Sequence, residues 1–215
     1  MITLTFNGID TKQGWGLDTV GLEISSPAPK THYTDLRAID GKLDMTNFFG
    51  TVLYDQRHLS TILEVEGDYS TFMAKVHSIM DALHGKTAKI KIANDSNYYY
   101  QGRCTVEAEK VNYQYGTITI EADCDPYRHN ETEQDRTVTA TSAGVAVTLT
   151  AETMPFIPII TCQNAGCSVV YGGTEYSLEE GENRLFELTP LTAGQHTYTI
   201  KGSGTVTVHY ESGRL

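Results

Sequence analysis

Asp68-Tyr-Ser-Thr-Phe-Met-Ala-Lys-Val-His-Ser-Ile-Met-Asp-Ala-Leu-His84 is the stretch on which the fold turns. Its apolar residues Phe72, Met73, Val76, Ile79, Met80 and Leu83 recur at steps of three and four, which places them on one stripe of a helix. Asp68 can cap the start. Gly85 stands where a left-handed C-terminal residue is wanted, and Lys86 follows it. An amphipathic helix of about four turns lays such a stripe on something apolar, and the flanking sheet is the simplest partner.

Outward from this helix the first half reads as strands. Thr51 to Tyr54 and Leu59 to Glu66 are expected as two strands around a turn at Asp55-Gln56-Arg57-His58. Ala88 to Ala93 alternates as a third, with Lys89 and Lys91 on one solvated edge face, and Asn94-Asp95-Ser96-Asn97 is a dense turn signal. Tyr98 to Asp125 predicts a hairpin with Asn112 to Gly116 as its loop. Pairing Cys104 with Cys124 also pairs Val106 with Ala122 and Ala108 with Ile120, so one face comes out apolar. That register sets Glu107 against Glu121, and a slip by two would relieve the clash while keeping the faces.

Beyond Asn130 the composition changes. Up to that residue there are 12 basic and 17 acidic side chains; after it there are 4 and 10, with Lys201 the only lysine and fourteen threonines between Thr137 and Thr207. Short runs of Val, Thr, Ile and Tyr are broken at Ser142-Ala-Gly144, Asn164-Ala-Gly166, Gly172-Gly173, Glu180-Gly-Glu-Asn183, Gly194 and Gly202-Ser-Gly204, the pattern of an all-β sandwich or small barrel without a helix. Two domains are expected, 1–130 and 131–215.

A net charge of −11 repels phosphate backbones and anionic lipid headgroups. Lys86, Lys89 and Lys91 are the nearest approach to a basic patch. Met1 to Gly8 has no basic leader, and no stretch approaches the ~18 apolar residues of a membrane span, so a soluble chain with no membrane partner is expected. Four cysteines are too few for a disulfide scaffold and wrongly spaced for zinc knuckles, and they are expected as reduced core residues. Cys162 and Cys167 flank a turn and could face each other across a hairpin.

No catalytic pattern emerges. There is no His-Glu-x-x-His, no Gly-x-Ser-x-Gly elbow and no phosphate-binding Gly-x-x-x-x-Gly-Lys-Ser/Thr, and no cofactor is expected. His77, Asp81 and His84 share a helix stripe and are the nearest thing to a metal site, although any amphipathic helix carries such a polar border. Tyr98 and Tyr100 share a strand face, with Tyr99 on the other. Tyr171, Tyr176, Tyr198 and Tyr210 are the candidates for a glycan-stacking platform in the second domain, which supplies the alternative reading of a carbohydrate-binding adsorption module contacting the host cell wall.

The order of segments in the first half resembles the N-terminal domain of the siphophage distal tail proteins, the Dit family of phages and prophages of low-GC Gram-positive bacteria. The resemblance runs through Arg37-Ala-Ile-Asp40-Gly41-Lys-Leu43-Asp44, Val52-Leu-Tyr54-Asp-Gln-Arg57, Ala82-Leu-His84-Gly85-Lys86, Tyr98-Tyr-Tyr100-Gln-Gly102-Arg103 and Asp123-Cys124-Asp125-Pro126-Tyr127, with the helix between the second and third. The ending, Gly202 to Leu215, is similar to the family's last strand. What the resemblance implies is a mainly β protein with one amphipathic helix, its α+β N-terminal belt domain followed by a galectin-like β-sandwich. It also implies a non-enzymatic virion protein at the tail tip, assembled in the host cytoplasm. Six copies would form a ring between the tail tube protein and the tail-associated tip protein, with a receptor-binding protein as a further neighbour. DNA would pass through a channel without being specifically bound, and an acidic chain suits such a conduit.

Overall fold

The computed structural model describes residues 2–37, 40–48, 50–95, 97–132, 134–185 and 191–215. Ala38 and Ile39 of the Arg37–Asp44 segment and Ser96 of the Asn94–Asn97 turn signal lie outside them. The chain divides into two compact units, Met1–Arg128 and His129–Leu215, each with its own buried cluster.

In the first unit the strands in chain order are β1 (Leu4–Phe6), β2 (Ile9–Asp10), β3 (Asp18–Ile24), β4 (Tyr33–Asp35), β5 (Lys42–Asp44) and β6 (Arg57–Glu66). They are followed by the helix α1 (Tyr69–Leu83), β7 (Thr87–Ile92), β8 (Tyr98–Glu109) and β9 (Tyr115–Cys124), with β10 (Arg128–Asn130) at the junction. The main sheet runs β2-β1-β7-β8-β9-β6-β3, and β4-β5 form a separate two-stranded ribbon. The helix is built as its sequence requires. The Asp68 side chain accepts from the Thr71 amide at 2.8 Å, Gly85 adopts φ +74°, and Phe72, Val76, Ile79 and Leu83 are buried. Phe72 lies so close over Gly116 of β9 that a Cβ there would come within 2.4 Å of its ring.

Four expectations need correction in this unit. Thr51 to Tyr54 forms no strand, only an isolated bridge between Tyr54 and Pro29, while Arg57 and His58 belong to β6 rather than to a turn. The long β8–β9 hairpin takes the register slipped by two: Cys104 faces Ala122, Val106 faces Ile120 and Ala108 faces Ile118. Glu107 therefore faces Thr119 and is spared Glu121, and Gly102 faces Cys124, where a side chain has no room. The connection spans 110–114, since Gly116 is already in β9. Finally, β7 is not an edge strand, because β1 pairs with it on one side and β8 on the other.

In the second unit come β11 (Gln134–Ala140), β12 (Val145–Ala151), β13 (Ile159–Cys162), β14 (Cys167–Tyr171), β15 (Thr174–Leu178), β16 (Gly181–Arg184), β17 (Gly194–Lys201), β18 (Gly204–Tyr210) and β19 (Gly213–Arg214). Two four-stranded antiparallel sheets, β11-β18-β13-β16 and β12-β17-β14-β15, bury their facing sides. The Thr-rich pattern makes the outward faces: Thr137 bonds Thr207 at 3.0 Å and Thr148 bonds Thr197 at 3.2 Å across strands. Gly181 to Asn183, read as a breaker, lies within β16. Cys162 and Cys167 do bring their side chains together, but not across a hairpin, since the turn between them carries the chain from one sheet to the other.

Candidate functional site

The residues of the family-like segments fall into three groups. In the first, Arg57 is 6% exposed and sends Nε and Nη2 to the Pro126 carbonyl oxygen, at 2.9 and 2.5 Å, with its guanidinium 5.3 Å from the Tyr100 ring. Tyr54 meets Tyr127 edge to face at 6.2 Å, and burial followed by the neighbouring Tyr54 raises the Tyr127 hydroxyl's pKa. The Asp125 amide donates to the Gln101 carbonyl, and Gly102 is packed on Cys124 and the Asp123 backbone. In the second, the Gly85 amide donates to the Cys104 carbonyl and the Cys104 amide to that of Lys86. Arg103 donates to the Gly85 carbonyl, and the His84 Nδ1 accepts from the Val106 amide at 3.1 Å. These two groups staple α1 and β6 to the β8–β9 hairpin. They are structural contacts with no reacting atom among them.

Tyr98 stacks under the Arg128 guanidinium, which also holds Asp95 at 2.6 Å, and Tyr99 lies 4.0 Å from the Lys89 ammonium. His77, Asp81 and His84 do not make a metal centre: among the described residues no three His, Cys, Asp or Glu side chains converge to hold an ion. All four cysteines are free and buried. Burial pushes the thiols up, Cys104 and Cys162 to about 11 and Cys124 to about 12. The proposed tyrosine platform is also absent, because Tyr198 and Tyr210 are core residues. Tyr171 is half-buried and stacked on Tyr198 at 4.7 Å, and Tyr176 is packed against the same core.

The third group, Arg37, Asp40, Gly41, Leu43 and Asp44, belongs to an arm that sequence reasoning did not isolate. From Ser25 to Gln56 no described residue is buried and none joins a core. The excursion still has ordered backbone, with bonds from Asp55 N to Ala28 O, Lys30 N to Leu53 O and Met45 N to His32 O, each 2.8 Å. Asp44 accepts from Thr46, which holds its carboxyl pKa down. Exposed along the arm are Tyr33, Leu36, Leu43, Phe48 and Leu53. The signal was present in the sequence, but large apolar residues scattered among turn formers follow no period.

The sheet face away from the core is acidic over β6, β9 and the far end of β8, while Lys89, Lys91 and Arg103 share it on β7 and the near end of β8. Glu64, Glu66, Glu107, Glu109, Glu121 and Asp123 all point there, alternating with the buried positions of β6, β8 and β9. The register interleaves most of them with neutral groups: Thr117 lies between Glu64 and Glu109, Thr119 between Ile62 and Glu107, and Glu121 between Ser60 and Thr105, while Asp123 lies between His58 and Arg103. Among β6, β8 and β9 no carboxylate stands directly opposite another, while on β3 Asp18 faces Glu64 and is offset by the Lys12 ammonium at 2.6 Å.

No family model and no curated protein matches the sequence. The backbone does have a counterpart. The solved structure of the Dit protein (gp 19.1) of phage SPP1, described as a paradigm of the hub adsorption apparatus in phages infecting Gram-positive hosts, matches with a TM-score of 0.63. The match covers 100% of both chains at 15% sequence identity. This chain has a Dit-like fold. The likeness takes in the helix-bearing unit and the sandwich together, so the mainly β, one-helix architecture followed by a β-sandwich is shared from end to end.

Proposed function

We propose that this chain is a structural subunit of a phage tail tip, in which six copies close a ring that joins the tail tube to the tail-associated tip protein and the host-adsorption apparatus. What carries the reading is the Dit-like fold, which extends over the full length of both compared chains. Such a protein works by shape and by closure around an axis.

Two features of the first unit support the reading. Of the fourteen large apolar side chains exposed among the described residues, thirteen lie between Ile2 and Tyr115 and only Leu215 lies in the second unit. Exposed apolar surface concentrated in one unit marks the part that associates. The acidic sheet face supplies a wall that would not retain a polyanion, which suits a channel for DNA. No specific observation favours the carbohydrate-binding alternative once its four tyrosines are accounted for in or against the core.

Native mass spectrometry of the purified chain, alone and mixed with the tail tube protein of the parent particle, tests the assembly. A six-copy species in either sample is expected. Immunogold labelling of the parent particle should then decorate the distal end of the tube; a monomer in both samples, or label elsewhere on the particle, overturns the proposal.

A further inference from the structure

The exposed apolar residues of the first unit are concentrated at the two ends of β6. At its Arg57 end stands the arm, whose side chains enclose a hollow of about 440 Å³ lined by Lys30, His32, Met45, Phe48 and Leu53 with two threonines. At its Glu66 end, Tyr115 pairs with Glu66, and the β8–β9 turn carries Val111 and Tyr113, exposed by 61% and 80%. Tyr69, at the first turn of α1, is exposed as well. Ten residues of strand hold the two ends roughly 30 Å apart. The knob and the hollow of one chain therefore belong to different contacts.

The lining of the hollow and the rim of the turn differ in charge. The lining of the hollow contains a lysine and a histidine and no carboxylate, although Lys30 also reaches Asp55 at 3.6 Å on the exposed side. At the other end Glu66 accepts from the Tyr115 hydroxyl at 3.3 Å, and Glu66 and Glu64 together make that hydroxyl harder to ionise. The one lysine of the turn, Lys110, is turned inward onto the Gly67 carbonyl at 2.7 Å and over the Phe72 ring. It leaves the apolar tip with an acidic rim.

We propose that the arm of one copy receives the β8–β9 turn of a second copy, with Tyr113 seated among Met45, Phe48 and Leu53 and with Glu64 and Glu66 facing Lys30 and His32. This rests on the reading that copies assemble, and it names the surfaces they use. A contact between two different patches is head-to-tail, which closes into a ring when the rotation between neighbours permits. It also supplies what the arm lacks, since two three-residue strands without a core are marginal alone.

The test is a disulfide ladder. The double variant Phe48→Cys/Tyr113→Cys, treated with copper–phenanthroline, is expected to give covalent species of two, three and more copies, whereas each single variant stops at two. The native cysteines, at most 2% exposed, stay out of the reaction. Phe48→Asp and Tyr113→Asp, both at exposed positions, should leave the melting temperature unchanged and raise the concentration needed for assembly at least about tenfold. A full oligomer that yields no ladder and withstands both aspartates overturns the docking and leaves the ring intact. A wild-type chain that stays monomeric even with the tail tube protein overturns both.

Discussion

Arg57 shows how much one side chain can fix. Its guanidinium is nearly buried, its two donors converge on one carbonyl, and an aromatic ring covers it. Arg57→Met keeps the packing but strands the Pro126 carbonyl, and a loss of about 1–3 kcal/mol in urea unfolding is expected; Arg57→Lys should recover only part, because an ammonium cannot reproduce the fork. The opposite case is Tyr198, fully buried with a hydroxyl that has no hydrogen-bond partner among the described residues. Tyr198→Phe removes an unsatisfied polar atom, so a gain of about 1 kcal/mol is expected by the same measurement. The thiols set a pH limit. Cys104 and Cys124 are raised from 9.0 to about 11 and about 12, mainly by burial. A pKa higher in the folded than in the unfolded state gives stability that is complete below about pH 9 and is lost as pH rises through 11 to 12. Base unfolding followed by circular dichroism should therefore shift to higher pH in Cys124→Ala.

The arm and the helix differ in kind as elements. Helix α1 is tied to the core by Phe72, and Phe72→Ala should cost about 3–5 kcal/mol because Gly116 beneath it has no side chain to fill the gap. The arm contributes nothing to either core, and its base is held together by the Lys30–Leu53 backbone bond. Replacing residues 31–52 by a short Gly-Ser turn should leave the thermal midpoint within a few degrees and abolish assembly, as read by light scattering. The same contrast explains what the sequence disclosed. A helix stripe of period near 3.6 and strands of period two, such as β6 and β9, announce themselves because burial imposes the period. The register of the hairpin was open to a slip of two, since both settings bury the same faces, and the clash of Glu107 with Glu121 was the one clue to the outcome. Nothing periodic marks the arm, because nothing in its own unit buries it. For that reason the candidate site was the least legible part of the chain, while the segments Arg57, His84–Lys86 and Gly102–Arg103 that read as family-like proved to be staples of the fold.

At the scale of the whole molecule, the two units divide the properties an assembling protein needs. Each has a separate core, and the exposed apolar residues fall almost entirely on the first. The second unit packs its described aromatic residues in or against the core and covers its sheets with threonine pairs, which gives a polar surface with little tendency to self-associate. A fragment spanning 129–215 should accordingly fold alone, with a cooperative β-type melt, and stay monomeric at concentrations where the full chain assembles. The Asn130 amide bonds the Ser212 carbonyl at 2.8 Å, which ties the two ends of this unit together and makes that fragment a reasonable place to cut. The complementary expectation concerns charge: reversing Glu64, Glu109 and Glu121 to lysine on the outward sheet face should leave the fold intact, because Glu109 and Glu121 stand beside neutral partners and a lysine at 64 would face Asp18. On the proposed assembly, the variant should then hold double-stranded DNA in a gel-shift assay at low salt, with retention falling steeply as salt is raised, while the wild type should not. Equal DNA binding by the two would show that this face does not line the channel.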